Sequence, residues 1–143
     1  MDISLNLKLI NERLSAIRAS GIRMQRLIAL GRSNFVADPD NFAITEHHLR
    51  RSLEAILDIG RHIIAKKGWG APKDYSSILL TLGQRGILPQ TFAQRVQGMA
   101  GYRNRLVHAY ADVSPEEIYD LLVKHLEDFA EFNALIFAFL ERD

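Results

Sequence analysis

Apolar residues along this chain recur every three or four positions, and that stepping leaves little room for anything but helix. In the first segment Ile3, Leu7, Ile10, Leu14, Ile17, Gly21, Met24 and Ile28 step by 4, 3, 4, 3, 4, 3 and 4 without a break. This repeat keeps one face of a helix turned toward a packing partner, and at about 1.5 Å per residue it covers ~40 Å. Gly21 falls inside the seam, where the missing side chain would let another backbone approach closely. Ser33-Asn34 and Asp38-Pro39-Asp40 then read as loop punctuation. A second stripe runs through Leu49, Leu53, Ile56, Gly60 and Ile63 and stops at Gly68-Trp69-Gly70-Ala71-Pro72, which cannot continue a helix.

Ser76 to Leu82 reads as a brief third helix that closes at Gly83 or Gly86, and a fourth runs from near Pro89 through Phe92, Val96, Met99, Leu106 and Tyr110. Ser114-Pro115-Glu116-Glu117 opens a fifth, with serine to cap, proline at the first helical position and glutamate three residues on. Its apolar face is Ile118, Leu122, Leu126, Phe129, Phe132, Ile136 and Phe139. No segment alternates apolar and polar residues between hairpin turns. The expected architecture is all-α: an antiparallel bundle of four long helices plus a short one, as a single domain over residues 1–143.

Composition removes several kinds of chemistry. Without cysteine there is no disulfide scaffold, thiolate zinc site, iron–sulfur cluster or cysteine nucleophile. Eighteen basic groups against 17 acidic ones leave +1, so any grip on a polyanion has to be local. The longest purely apolar run, Leu135 to Leu140, is far short of the ~20 residues that span a bilayer. Met1-Asp2-Ile3-Ser4 lacks the basic and apolar blocks of a signal peptide. The expectation is a cytoplasmic protein with no membrane association.

A bundle has no function by default, so the informative residues are those that violate its packing pattern. Position 103 lies in the seam between Met99 and Leu106, and arginine occupies it. Such a guanidinium must snorkel to the rim, pair with a carboxylate such as Asp58, or line a wet cleft. Around it stands Tyr102-Arg103-Asn104-Arg105-Leu106-Val107-His108-Ala109-Tyr110. Asn104 and His108 are one helical turn apart, and Arg103 and Tyr110 are two. Arg103 and His108 are about 140° apart around the axis, so they converge only across a groove or through a second copy of the chain.

These residue types suit phosphodiester chemistry on RNA. A neutral imidazole takes the proton of a 2′-hydroxyl and its imidazolium returns one to the leaving oxygen. A forked, permanently charged guanidinium matches the oxygens of a phosphorane-like transition state. The scheme needs no metal or cofactor, and the sequence has no His-Glu-x-x-His pattern. Two other readings stay open: a non-catalytic module holding nucleotide or a partner protein through Arg103, and a plain structural bundle.

Arg-x4-His-x-Tyr, here Arg103, His108 and Tyr110, resembles the signature of HEPN-domain proteins of the HepT toxin type. Leu57-Asp58-Ile59-Gly60-Arg61-His62-Ile63-Ile64 is similar to that family's second-helix segment. Gly68-Trp69 through Pro72, Asp74-Tyr75, Gly86-Ile87-Leu88 and Met99-Ala100-Gly101-Tyr102 resemble its loops and its approach to the motif. The similarity spans roughly residues 45 to 122. It implies a homodimeric HEPN bundle with the two Arg103/His108 sets in a cleft between protomers. It also implies metal-independent endoribonuclease activity, on an RNA such as tRNA, as the toxin of a toxin–antitoxin pair. The antitoxin would be a small MntA-like nucleotidyltransferase that silences the toxin by transferring AMP to Tyr110. Where the family commonly has an apolar residue, Arg105 adds a second cation that could grip RNA. Asn104 would support the site, and Asp58 and His62, one turn apart, either line the cleft or form a helix-surface contact. His125 interrupts an apolar helix and reads as a rim or core residue, and Trp69, Tyr75 and Tyr102 read as packing residues before base-stacking ones.

Overall fold

The periodic segments fold as helices in the computed structural model, which describes residues 5–108 and 113–142 apart from the side chains of Ala100, Val107 and His108. Among the described residues there is no strand, and seven helices follow in order: α1 (Leu7–Ile28), α2 (Arg32–Ala37), α3 (Pro39–Lys67), α4 (Tyr75–Gln84), α5 (Gln90–Gln97), α6 (Ala100–His108) and α7 (Pro115–Arg142). Three are long. α1 lies between α3 and α7, α4 and α5 pair as a hairpin beside α3, and α6 packs on α3. Of the first seam, Ile10, Leu14, Ile17 and Met24 are buried, as are all five positions of the second. They join Phe129, Phe132, Ile136 and Phe139 of α7 in one apolar core. None of the described helices is long and apolar enough to cross a membrane.

Local chemistry sets the helix ends. The Asn6 side chain accepts from the Leu9 amide at 3.1 Å to start α1. Ser114 does the same for the Glu117 amide at 3.1 Å to start α7. Asp38-Pro39-Asp40, expected as loop, is instead a helix start: Asp38 accepts from the Asp40 amide at 3.0 Å and Pro39 takes the first turn of α3, where its missing N–H costs nothing. α3 ends at Gly68, whose φ of 71° only glycine adopts readily. Gly60 serves a different purpose. A Cβ placed on it would stand 2.4 Å from Ile78 Cγ2 and 3.3 Å from Leu82 Cδ1, so its bare backbone is what lets α4 cross α3 closely.

Three further expectations change. The fourth long helix is two short ones, α5 and α6, separated by a turn at Gly98-Met99. The stripe of Val96, Met99 and Leu106 stays buried across that break, which is why periodicity does not reveal it. α2 is an additional short helix that buries Phe35 completely. At Gly21 no backbone comes near; nothing among the described residues lies within 4 Å of its would-be Cβ. It opens instead on an apolar groove of about 650 Å³ between α1 and α7, bordered by the exposed side chains of Ile22, Val123 and Phe137.

Candidate active site

α6 carries Arg103 to the side of α3. Its register is fixed by Met99 and Leu106, each 1% exposed, one turn either side, and the Arg103 amide donates to the Met99 carbonyl at 3.1 Å. The guanidinium therefore emerges from the seam at the α3 surface, with 23% of its side chain exposed. There it meets Glu54, not Asp58. Nε donates to Glu54 Oε1 at 3.0 Å, and Nη2 stands 2.9 Å from the same oxygen. Nη1 points toward Asn104 Oδ1 at 3.5 Å, the limit of a hydrogen bond. One carboxylate oxygen thus occupies the Nε/Nη2 edge of the fork, and the neighbouring amide oxygen lies on the Nη1 side.

Asp58 is engaged elsewhere. Its Oδ2 accepts from Arg13 Nε of α1 at 2.9 Å. It shares a shallow surface pocket with His62, Leu9, Arg13, Arg61 and Ala65. His62 Nε2 accepts from the Asn6 backbone N–H at 2.8 Å, which ties α3 to the capping residue of α1. Accepting that bond requires an unprotonated nitrogen, in keeping with a pKa that burial, and then the Lys66 charge, pushes below the usual histidine value. Neither Asp58 nor His62 touches Arg103.

Arg105, expected as a second cation for RNA, is clasped by a carboxylate. Nη1 and Nη2 donate to Glu117 Oε2 and Oε1 at 2.5 and 3.0 Å, a two-pronged pair joining α6 to the first turn of α7. Its guanidinium also lies over the Tyr102 ring, 5.6 Å from the centroid. Glu117 is the hub: hydrogen bonds from Arg105 foremost, and from the Tyr102 hydroxyl and the Ser114 amide, hold its carboxyl below the ordinary range. Partial burial, the Glu117 charge and their hydrogen bond raise the Tyr102 phenol in turn.

His108 is the last described residue of α6, five positions beyond Arg103, and its side chain lies outside the described residues. Tyr110 lies outside them altogether. His125, expected at the rim or in the core, is in the core, with Nδ1 2.8 Å from Asp128 Oδ2 in a buried pair. Tyr75 is buried too, at 2% exposure, and is closed to bases. Trp69 is covered by the Arg85 guanidinium, 5.2 Å from its ring centroid. Glu54 and Glu117 are the partners that sequence reasoning missed; each is an acidic residue on a neighbouring helix, a weak signal among 17 such residues.

The family model for "Ribonuclease HepT-like" matches residues 17–136 of this chain, from the middle of α1 nearly to the end of α7. The chain belongs to that family. Among curated relatives, the HepT-like chain is 31% identical to an mRNA nuclease HepT of Shewanella oneidensis over 89 residues, 62% of this chain and 67% of that protein. It is 25% identical to a tRNA nuclease HepT of Aphanizomenon flos-aquae over 132 residues, 92% of this chain and 90% of the relative. Among solved structures, a tri-AMPylated Shewanella oneidensis HEPN toxin in complex with MNT antitoxin superposes with a TM-score of 0.83 at 26% identity, covering 96% of this chain and 99% of that one. The HepT-like fold expected from the nonapeptide is thereby established, with the helices redistributed as described.

Proposed function

We propose that this HepT-like chain is a metal-independent endoribonuclease, the toxin of a pair whose antitoxin is an MntA-like nucleotidyltransferase. The observation that carries the proposal is Arg103. It is a guanidinium placed in a packing seam, only partly exposed and held by Glu54, on the helix that also carries His108. The neutral imidazole of His108 removes the 2′-hydroxyl proton, and the 2′-oxygen attacks the adjoining phosphorus. The 5′-oxygen leaves and takes a proton from imidazolium, and a cyclic phosphate remains. Arg103 spreads its charge over the non-bridging oxygens as negative charge builds in the transition state. Arg103 and His108 stand about 140° apart on one helix, and the working site is assembled in a cleft between two copies, one set from each, as the resemblance to HepT toxins implies. Asn104, beside Arg103, supports the site.

Silencing follows from Tyr110, two residues past the imidazole. Transfer of AMP from ATP to its phenol, with release of pyrophosphate, puts negative charge and bulk where RNA phosphate must bind. The relatives' names supply the precedents of mRNA and tRNA cleavage and of an AMPylated toxin bound to its antitoxin.

The test is cleavage of a tRNA and a single-stranded RNA by purified protein in chelator. Wild-type protein should cut, His108→Ala and Arg103→Ala should not, and all three should give the same helical circular dichroism. Cutting that survives His108→Ala removes imidazole from the scheme. Retention of all activity by Arg103→Ala would reduce the arginine to a snorkelling residue. Incubation with a cognate nucleotidyltransferase and ATP should add AMP to wild-type protein and not to Tyr110→Phe.

A further inference from the structure

We infer that Glu54 is the positioning residue for Arg103, an inference that rests on the ribonuclease reading and deepens it. Glu54 is on α3, outside the nonapeptide, and one of its oxygens receives both the Nε and the Nη2 of Arg103, at 3.0 and 2.9 Å. An arginine side chain has four rotatable bonds and gives up much freedom to stay in one pose. A fork held along its Nε/Nη2 edge by a carboxylate is already in place. That is the geometry a phosphorane oxygen needs, since stabilisation by a fixed donor requires no rearrangement as charge develops.

The local frame supports a role in orientation. Glu54 lines a shallow groove with Arg13, Arg51 and Asp58, and the Arg13–Asp58 pair one turn further along α3 braces that surface against α1. Glu54 is thus set on the longest helix of the bundle, 29 residues anchored at both ends by caps. α6, by contrast, is described over 9 residues. The short helix supplies the cation, and the long one supplies its aim.

A carboxylate beside a phosphate-binding cation has a second, opposite effect. It repels the substrate's phosphates, so it does nothing for ground-state binding. The two effects separate in kinetics. Glu54→Ala should lower kcat by about 10- to 100-fold, the scale of a misplaced reacting group, while KM for RNA stays equal or falls. Glu54→Gln keeps an oxygen that accepts from Nε and Nη2 and should recover most of the lost kcat. A residue needed only for folding would instead lower the active fraction, and KM would stay fixed with activity tracking the folded population.

The experiment measures steady-state cleavage of one fluorogenic RNA by wild-type, Glu54→Ala, Glu54→Gln and Arg103→Ala proteins, each checked by thermal unfolding. Wild-type kcat in Glu54→Ala overturns the inference, as does a loss confined to KM or a Glu54→Gln protein no better than Glu54→Ala. If Glu54→Ala does not fold, Glu54→Asp decides, since it keeps the charge and retracts the carboxylate by one methylene; wild-type kcat there overturns the inference. An inactive Arg103→Ala beside a fully active Glu54→Ala sinks the positioning role alone. A wild-type protein that cuts nothing sinks the ribonuclease reading, and this role with it.

Discussion

Adding one methyl group at Gly60 and the same group at Gly21 should shift stability in opposite directions. Both glycines stand in the helical seams, and in a helix interior alanine is favoured over glycine by about 1 kcal/mol. At Gly21 nothing opposes this gain, because the would-be Cβ has no neighbour within 4 Å among the described residues. At Gly60 the methyl would lie 2.4 Å from Ile78 Cγ2, whereas unstrained carbon contacts lie at about 3.5–4.0 Å. More than 1 Å of relief is needed, and it cannot come from a loose side chain. Ile78 is 1% exposed and Leu82, the second neighbour, is fully buried. Overpacking of this kind costs about 1–3 kcal/mol, and the depth of the overlap puts it at the upper end. The balance is about 2 kcal/mol against Gly60→Ala and about 1 kcal/mol in favour of Gly21→Ala. For 143 residues the entropy of unfolding is about 0.3 kcal/mol per degree, so Tm should fall by ~6–7 °C in the first and rise by ~3 °C in the second. Circular dichroism melts at matched protein concentration measure both, which holds any self-association constant. A Gly60→Ala protein as stable as wild type would refute the close crossing of α4 over α3.

Other outcomes follow from the same structure. Glu117→Gln should speed amide exchange at Ser114 and lower global stability by no more than ~1 kcal/mol, because the Arg105 pair is a third exposed. The folded carboxyl sits below its ordinary value near 4.5. The wild-type advantage should therefore be complete above that value and vanish as pH falls through the folded one. His62 is held below the usual histidine range, so the unfolded chain takes up its proton first. Acidification below about pH 6.5, through the lower folded value, should erode stability and release the Asn6 amide, and His62→Gln, measured by amide exchange at the start of α1, should flatten that response. Phe132→Ala removes a ring that is 1% exposed and should cost about 3–5 kcal/mol in denaturant melts.

The long helices were legible because α1, α3 and α7 each bury one stripe, and the stripe is written in residue spacing. The start of α7 was legible for the same local reason, with Ser114, Pro115 and Glu117 each supplying a known part of a helix start. The break at Gly98 was not, since Val96, Met99 and Leu106 keep their spacing while the backbone turns between them. α2 was hidden because six residues are too few to show a period. Asp38-Pro39 carried its signal openly, but the same two residues open turns and helices alike. At the site, Arg103 could be recognised as a seam residue that must snorkel, pair with a carboxylate or line a cleft. Choosing between Glu54 and Asp58, one turn apart on α3, depends on the height at which α6 meets α3, and that is a tertiary quantity. The fate of Arg105 was equally out of reach, because Glu117 belongs to the next helix and approaches only when the bundle closes.

After the turn at Gly98-Met99, Arg103 and His108 stand on a separate segment, described over the nine residues Ala100–His108. Peptides of that length hold almost no helix in water; about 12 to 15 residues are needed even with favourable sequences. Its order is borrowed, through Glu54 from one neighbour and Glu117 from another that begins only at Pro115. The segment therefore depends on partners on both sides of it in the chain, α3 before and α7 after, and its amides should gain full exchange protection only once both have packed.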